Sequence, residues 1–186
     1  MDDIVRQAIA KWPHVPACCG WLGLDARGNW YMRDDQAQAA GPFAASADGC
    51  HRASKGSLLL HDKLIDFIAR NYESDASGQW FFQNGPQRVY VELEAAPLVW
   101  RVDADGYGWA VTAHTGRSAR VQCCVLDELG RLYLDTDLGF GLVHSQDMLY
   151  AAEAVEQGLW LPEECLAADL PTRFGYVLSP ETWQKK

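Results

Sequence analysis

Basic residues are scarce in this 186-residue chain: 16 Lys and Arg stand against 25 Asp and Glu, a formal net charge of −9. Phosphate backbones are held by clustered Lys and Arg, and the densest basic stretches run only from Arg117 to Arg120 and over Lys185-Lys186. Nucleic acid is therefore not an expected partner, and the acid excess reads as what keeps a soluble protein dispersed. Long apolar runs are absent too. None approaches the roughly 20 residues that span a bilayer, and Met1 to Gln7 lacks the basic and apolar regions of a signal peptide. The expectation is a cytoplasmic protein with no membrane partner. Its six cysteines are then expected as free thiols, because cytosolic disulfides are rare.

Apolar residues make up 48% of the chain and include eight Trp, enough to build a core and to exclude a disordered protein. A short pattern recurs: Asp25-Ala26-Arg27-Gly28 before Trp30, Asp75-Ala76-Ser77-Gly78 before Trp80, and Asp127-Glu128-Leu129-Gly130 before Leu132. A looser copy, Asp103 to Gly106, precedes Trp109. Asp hydrogen-bonds its own downstream amides and Gly supplies a positive φ, so each copy predicts a tight turn with an outgoing strand. The chain reads as a succession of antiparallel hairpins, a duplicated unit in outline.

Helical spacing of Ile4, Ala8, Ile9 and Trp12 predicts a first helix from Asp3 to Trp12, ended by Pro13. The Ala-, Gly- and Ser-rich stretch from Asp34 to Gly56 reads as a long mobile connection. A second helix is expected from Ser57 to Tyr72, with Leu60, Leu64, Phe67 and Ile68 on its apolar stripe. Val89, Val91 and Leu93 alternate with polar residues as in a half-buried strand. A late helix is expected from Ser145, as N-cap, to Gly158, with Met148, Leu149, Ala152 and Val155 facing the core. The fold class is α+β: an N-terminal subdomain over residues 1–97, a mostly-β subdomain over 98–160 ending in a helix, and a surface tail over 161–186. Pro97 marks the seam.

The matching residues Gly28-Asn29-Trp30-Tyr31, the Leu64 to Phe67 helix, Asp75 to Phe81, Arg88 to Pro97 and the late helix from Leu149 to Gly158 carry a resemblance. Over most of residues 17–160 the chain resembles the DUF1285 family, two-domain bacterial proteins of unknown function. The resemblance implies an α/β-roll-like first domain and a small mostly-β second one. It implies a role in ligand binding or signalling and carries over no catalytic residue. The segment from Asp34 to Gly56 departs from the family pattern.

Candidate chemistry is sparse. His14, Cys18, Cys50 and His51 have the right atoms for zinc, but no spaced C-x-x-C pair is present, and buried thiols acting as small hydrophobes account for the cysteines. Ser145 has no Gly-x-Ser-x-Gly surroundings. Gly139-Phe140-Gly141 before a helix resembles a phosphate-binding turn without its third glycine. Asp34-Asp35 and Asp135-x-Asp137 read as charged strand ends. The leading expectation is a non-enzymatic ligand-binding or regulatory module with a groove between subdomains, lined by Trp30, Arg33, Trp100, Arg101, Trp109 and His114 and open to a small molecule or a protein segment. One rival is an enzyme using His144 or His114 with Asp135. Another is a scaffold associating through an aromatic patch. No cofactor is expected, and the oligomeric state is left open.

Overall fold

The computed structural model describes residues 1–44, 52–104 and 108–184. The chain divides into two compact units, the first made of Met1–Asp25, Asn29–Ala95 and Tyr176–Lys186, the second of Ala26–Gly28 and Ala96–Gly175. In the first unit, helix α1 (Asp3–Lys11) leads into strands β1 (Cys18–Leu24) and β2 (Trp30–Met32). The short helices α2 (Asp35–Ala39) and α3 (Arg52–Lys55) and strand β3 (Ser57–Leu58) follow. Helix α4 (Asp62–Arg70) then precedes β4 (Tyr72–Ser74), β5 (Trp80–Asn84) and β6 (Gln87–Leu93). The second unit contains β7 (Leu98–Ala104), β8 (Trp109–Ala113), β9 (Ser118–Ala119), β10 (Val121–Leu126), β11 (Leu132–Thr136) and β12 (Gly139–Val143). A 3-10 turn (Ser145–Asp147), helix α5 (Met148–Glu156), strand β13 (Pro162–Glu164) and helix α6 (Leu170–Arg173) complete it. The last helix, α7 (Pro180–Gln184), packs on β1 and β6 of the first unit.

The class is α+β, as the alternation of turn signals and apolar stripes implies. The sheets are not purely antiparallel, however. The first has the order β3-β2-β1-β6-β5-β4, and β1 and β6 run parallel at its centre, with Leu22 opposite Val91 and Leu24 opposite Leu93. The second has the order β13-β10-β11-β12-β7-β8-β9, and its central pair β12 and β7 is also parallel. Leaving β13 aside, both units therefore arrange six consecutive strands as third-second-first-sixth-fifth-fourth. The same topology occurs twice.

The Asp-x-x-Gly turns sit at matching places, between first and second strand or between fourth and fifth. Each described copy has the same chemistry. The Asp25 amide donates to Asn29 O, Asp75 N to Gln79 O, and Asp127 N to Arg131 O, at 2.9–3.0 Å. The Asp Oδ1 accepts from the turn's own amides, as with Leu129 N and Arg131 N on Asp127. Gly28, Gly78 and Gly130 have φ of 82°, 77° and 72°, the left-handed region in which a Cβ is disfavoured. Tyrosines take the second carboxylate oxygen: Tyr90 Oη donates to Asp75 Oδ2 at 3.1 Å and Tyr133 Oη to Asp127 Oδ2 at 3.2 Å. The fourth copy, near Gly106, lies outside the described residues.

Helix boundaries depart from the periodicity. Residues 57 and 58 are β3, paired with β2, and α4 begins only after His61, whose Nδ1 accepts from Leu64 N. Leu60 is 77% exposed, so it leaves the stripe. Asp34 caps α2 through a bond from Ala37 N at 2.8 Å, so residues 35–39 are helical where a mobile connection was expected; residues 45–51 are outside the described set. His144, rather than Ser145, accepts at the late helix start, from Gln146 N. On α5 the buried residues are Ala151 and Ala154, while Leu149 is 79% exposed. Small side chains let the helix approach β7, and that outweighs the larger Leu. The tail also pairs more than expected, since β13 runs parallel to β10 and Leu93 N donates to Leu178 O.

Each unit has its own aromatic core. In the first, Trp30 meets Tyr72 edge-on at 5.1 Å and Phe67 meets Phe82 at 5.4 Å. In the second, Trp100 is fully buried and its Nε1 donates to Leu134 O at 3.0 Å. Gly141 makes room for that indole, because a Cβ there would lie 2.5 Å from Trp100 Nε1. Gly139 to Gly141 is thus part of β12 rather than a phosphate-binding turn.

Candidate functional site

The amphipathic helix α4 covers one face of the first sheet incompletely. Phe67 and the buried Ile68 pack against the sheet near Phe82. Beside them an open pocket of about 530 Å³ remains, lined by Cys18, Trp21, Leu22, Met32, Leu64, Ile68, Phe82, Asn84, Gln87 and Val89. Register places these residues together. Leu22 pairs with Met32, Phe82 with Val89, Asn84 with Gln87, and Cys18 with Val89. Trp21 and Met32 remain 43% and 46% exposed, so the rim presents large apolar side chains to solvent. The volume falls within the roughly 300–1,000 Å³ usual for small-molecule sites.

The polar groups gather at one end. Asn84 closes β5, Gln87 opens β6, and Cys18 opens β1. Gln87 Nε2 donates to Pro16 O at 3.1 Å, which orients that amide. Burial pushes the Cys18 thiol above its ordinary range, so at neutral pH it is a weakly polar wall and not a thiolate nucleophile. Among the described residues, no Lys, Arg, Asp, Glu or His lines the pocket.

The six residues read from the sequence as a groove lie in different units. Trp30 and Arg33 belong to the first; Trp100, Arg101, Trp109 and His114 belong to the second. Trp30 and Trp100 are core rings, 2% and 0% exposed. Arg33, 1% exposed, donates to Ser54 O, Gly20 O and Gly41 O at 2.8, 3.1 and 2.6 Å. Burial holds its guanidinium below the ordinary range, against the attraction of Glu92 and Glu181. Arg101 grips Asp147 with two bonds of 2.6 and 3.0 Å, and Asp147 also accepts from Val102 N. Burial raises the Asp147 carboxyl, but these donors outweigh it and leave the group below its usual range. Trp109 lies 6.5 Å from Tyr150, and His114 Nδ1 accepts from Val99 N at 3.2 Å.

The acid–base candidates are spread across the second sheet. Asp135 pairs with Phe140, four residues before His144, a separation of about 13 Å along a strand. His114 follows β8, three positions from β11 in the sheet order, about 14 Å at usual strand spacing. Asp34 and Asp137 are held by backbone amides of Ala37 and Arg120. Burial raises the thiols of Cys19 and Cys124 to about 11 and about 12, the first also through Glu92 and the second through Cys123. Cys50 and His51 lie outside the described residues. Among the described ones, no three His, Cys, Asp or Glu side chains group so as to hold a metal ion.

The pocket itself was missed from sequence because its wall draws on four strands, β1, β2, β5 and β6, and one helix, spread along the chain from Cys18 to Val89. The available signal was Met32, an apolar residue on a short strand next to the exposed Trp21.

Among the described residues, no helix is long and apolar enough to cross a membrane. No curated protein matches the chain. Among solved structures, a DUF1285 family protein from Silicibacter pomeroyi DSS-3 is similar at 12% identity and a TM-score of 0.46, covering 72% of this chain and 68% of that one. A second, from Shewanella baltica OS155, is similar at 16% identity and a TM-score of 0.45, covering 72% and 91%. The likeness to DUF1285 proteins read from the residues thus recurs between structures, and at these scores it says nothing of what the chain binds. A family model does match nearly end to end, over residues 1–181: the chain belongs to the DUF2944 family, described as "Protein of unknown function (DUF2946)".

Proposed function

We propose that the protein is a non-enzymatic binding module whose site is the pocket between α4 and the first sheet. One observation carries this reading: a cavity of about 530 Å³ with seven apolar walls and a polar end, on a protein whose acid–base candidates stand apart. Binding there buries Trp21 and Met32, and the apolar area removed from water supplies the affinity, at roughly 25 cal/mol per Å². Catalysis would need a reactive group at the wall, and Cys18 is held as a thiol.

A thermal-shift screen of small uncharged aromatic and aliphatic compounds tests the reading. A ligand at 100 times its Kd stabilises the native state by about 2.7 kcal/mol. Hits should lose their effect in Leu64→Glu and Met32→Glu, which place a charge in the pocket. Hits that stabilise both variants as well as the parent would place the site elsewhere.

A further inference from the structure

We infer that the pocket takes an uncharged amphiphile, an apolar body with a hydroxyl or amide head that meets Asn84 and Gln87. The inference rests on the binding reading above and adds the chemistry of the ligand. Two features of the wall point to it.

The first is the lack of any countercharge. The ten lining residues are seven apolar side chains, one thiol and two amides. An ion brought into such a site loses its hydration and finds no partner, which costs far more than burying a neutral group. Anions face the protein's formal charge of −9 as well, so a carboxylate is repelled from a distance.

The second is the gradient along the strands. Phe82, Val89, Leu22, Leu64 and Ile68 make the apolar wall, and the Asn84–Gln87 register pair closes the polar end. Asn84 is exposed, with an amide that both donates and accepts. Gln87 is tied to Pro16 O through its nitrogen, which leaves its carbonyl oxygen as the acceptor offered to a ligand. A hydroxyl, donor and acceptor at once, satisfies both amides. A head with only acceptors satisfies Asn84 alone.

Three probes with one apolar body separate the possibilities: 2-naphthalenemethanol, 2-naphthoate and 2-naphthylmethylammonium. Each is titrated into the full chain at constant ionic strength. Cys18 alkylation by N-ethylmaleimide is followed in parallel by fragment-ion mass spectrometry, with Cys165 of the second unit as internal reference. The expected result is that the alcohol binds at least tenfold more tightly than either ion and slows alkylation of Cys18 but not of Cys165. Leu64→Lys, which sets an ammonium at the pocket wall, should raise the affinity for the naphthoate at least tenfold. Charged probes that bind wild type as tightly as the alcohol, while protecting Cys18, would overturn the ligand class and leave the pocket standing. If no probe protects Cys18, the binding reading itself falls.

Discussion

Replacing Gly130 by Ala tests the turn chemistry on which both sheets depend. Gly130 has a φ of +72° and no heavy atom within 4 Å of the Cβ it would gain. No clash contributes, so the cost is conformational alone. A left-handed backbone costs an L-residue about 1–2 kcal/mol. The narrower unfolded ensemble of alanine offsets part of this, by about 0.4–1 kcal/mol. The net loss should be about 1 kcal/mol. Asn enters the left-handed region more readily than other residues, so Gly130→Asn should lose about half as much. Urea unfolding followed by Trp fluorescence and circular dichroism measures both variants, with separate transitions fitted for the two units. A neutral Gly130→Ala, or a Gly130→Asn as damaging as the alanine, would refute the claim that this backbone geometry holds the β10–β11 hairpin.

Two further outcomes follow from buried carboxylates. Asp147→Ala leaves the buried Val102 amide without its acceptor and should cost about 1–3 kcal/mol by the same urea assay; a neutral effect would remove Asp147 as the group that satisfies Val102 N. Glu92 is 2% exposed and accepts from Glu181 N at the start of α7. Burial raises its carboxyl above 4.5 despite the bonds it accepts from Ser179 and Glu181 and the pull of Arg33. The native state therefore holds the proton more tightly than the unfolded chain, and stability falls as pH rises from 4.5 through the folded value. Glu92→Gln keeps an acceptor for Glu181 N without the charge. Its melting temperature should gain on wild type across that interval, and parallel pH profiles would contradict the assignment.

The legible part of this fold was local. Asp25, Asp75 and Asp127 bond amides two to four residues away, so the turns follow from seven-residue windows. The parallel pairs β1–β6 and β7–β12 join strands dozens of residues apart, and no window contains both. Local pattern also misled where tertiary contact decided: Leu60 continues the stripe of α4 by spacing, yet the helix begins only at Asp62 and the preceding residues 57 and 58 pair with β2. On α5, Leu149 outranks Ala151 in hydrophobicity, but only the alanines let the helix sit against β7. The candidate site was hidden for the same reason as the parallel pairs, because its wall exists only once β1, β2, β5, β6 and α4 have come together. Arg33 and Trp100, expected from the sequence to line a groove, instead hold three backbone carbonyls and the core of the second unit.

The chain contains three methionines, Met1, Met32 and Met148, and only Met32 lines the pocket. Methyl NMR of protein labelled with ¹³C at the methionine methyl, titrated with 2-naphthalenemethanol, therefore reads the site directly. The account predicts a saturable shift of the Met32 resonance with Met1 and Met148 unmoved. A shift of Met148 with Met32 silent would contradict it.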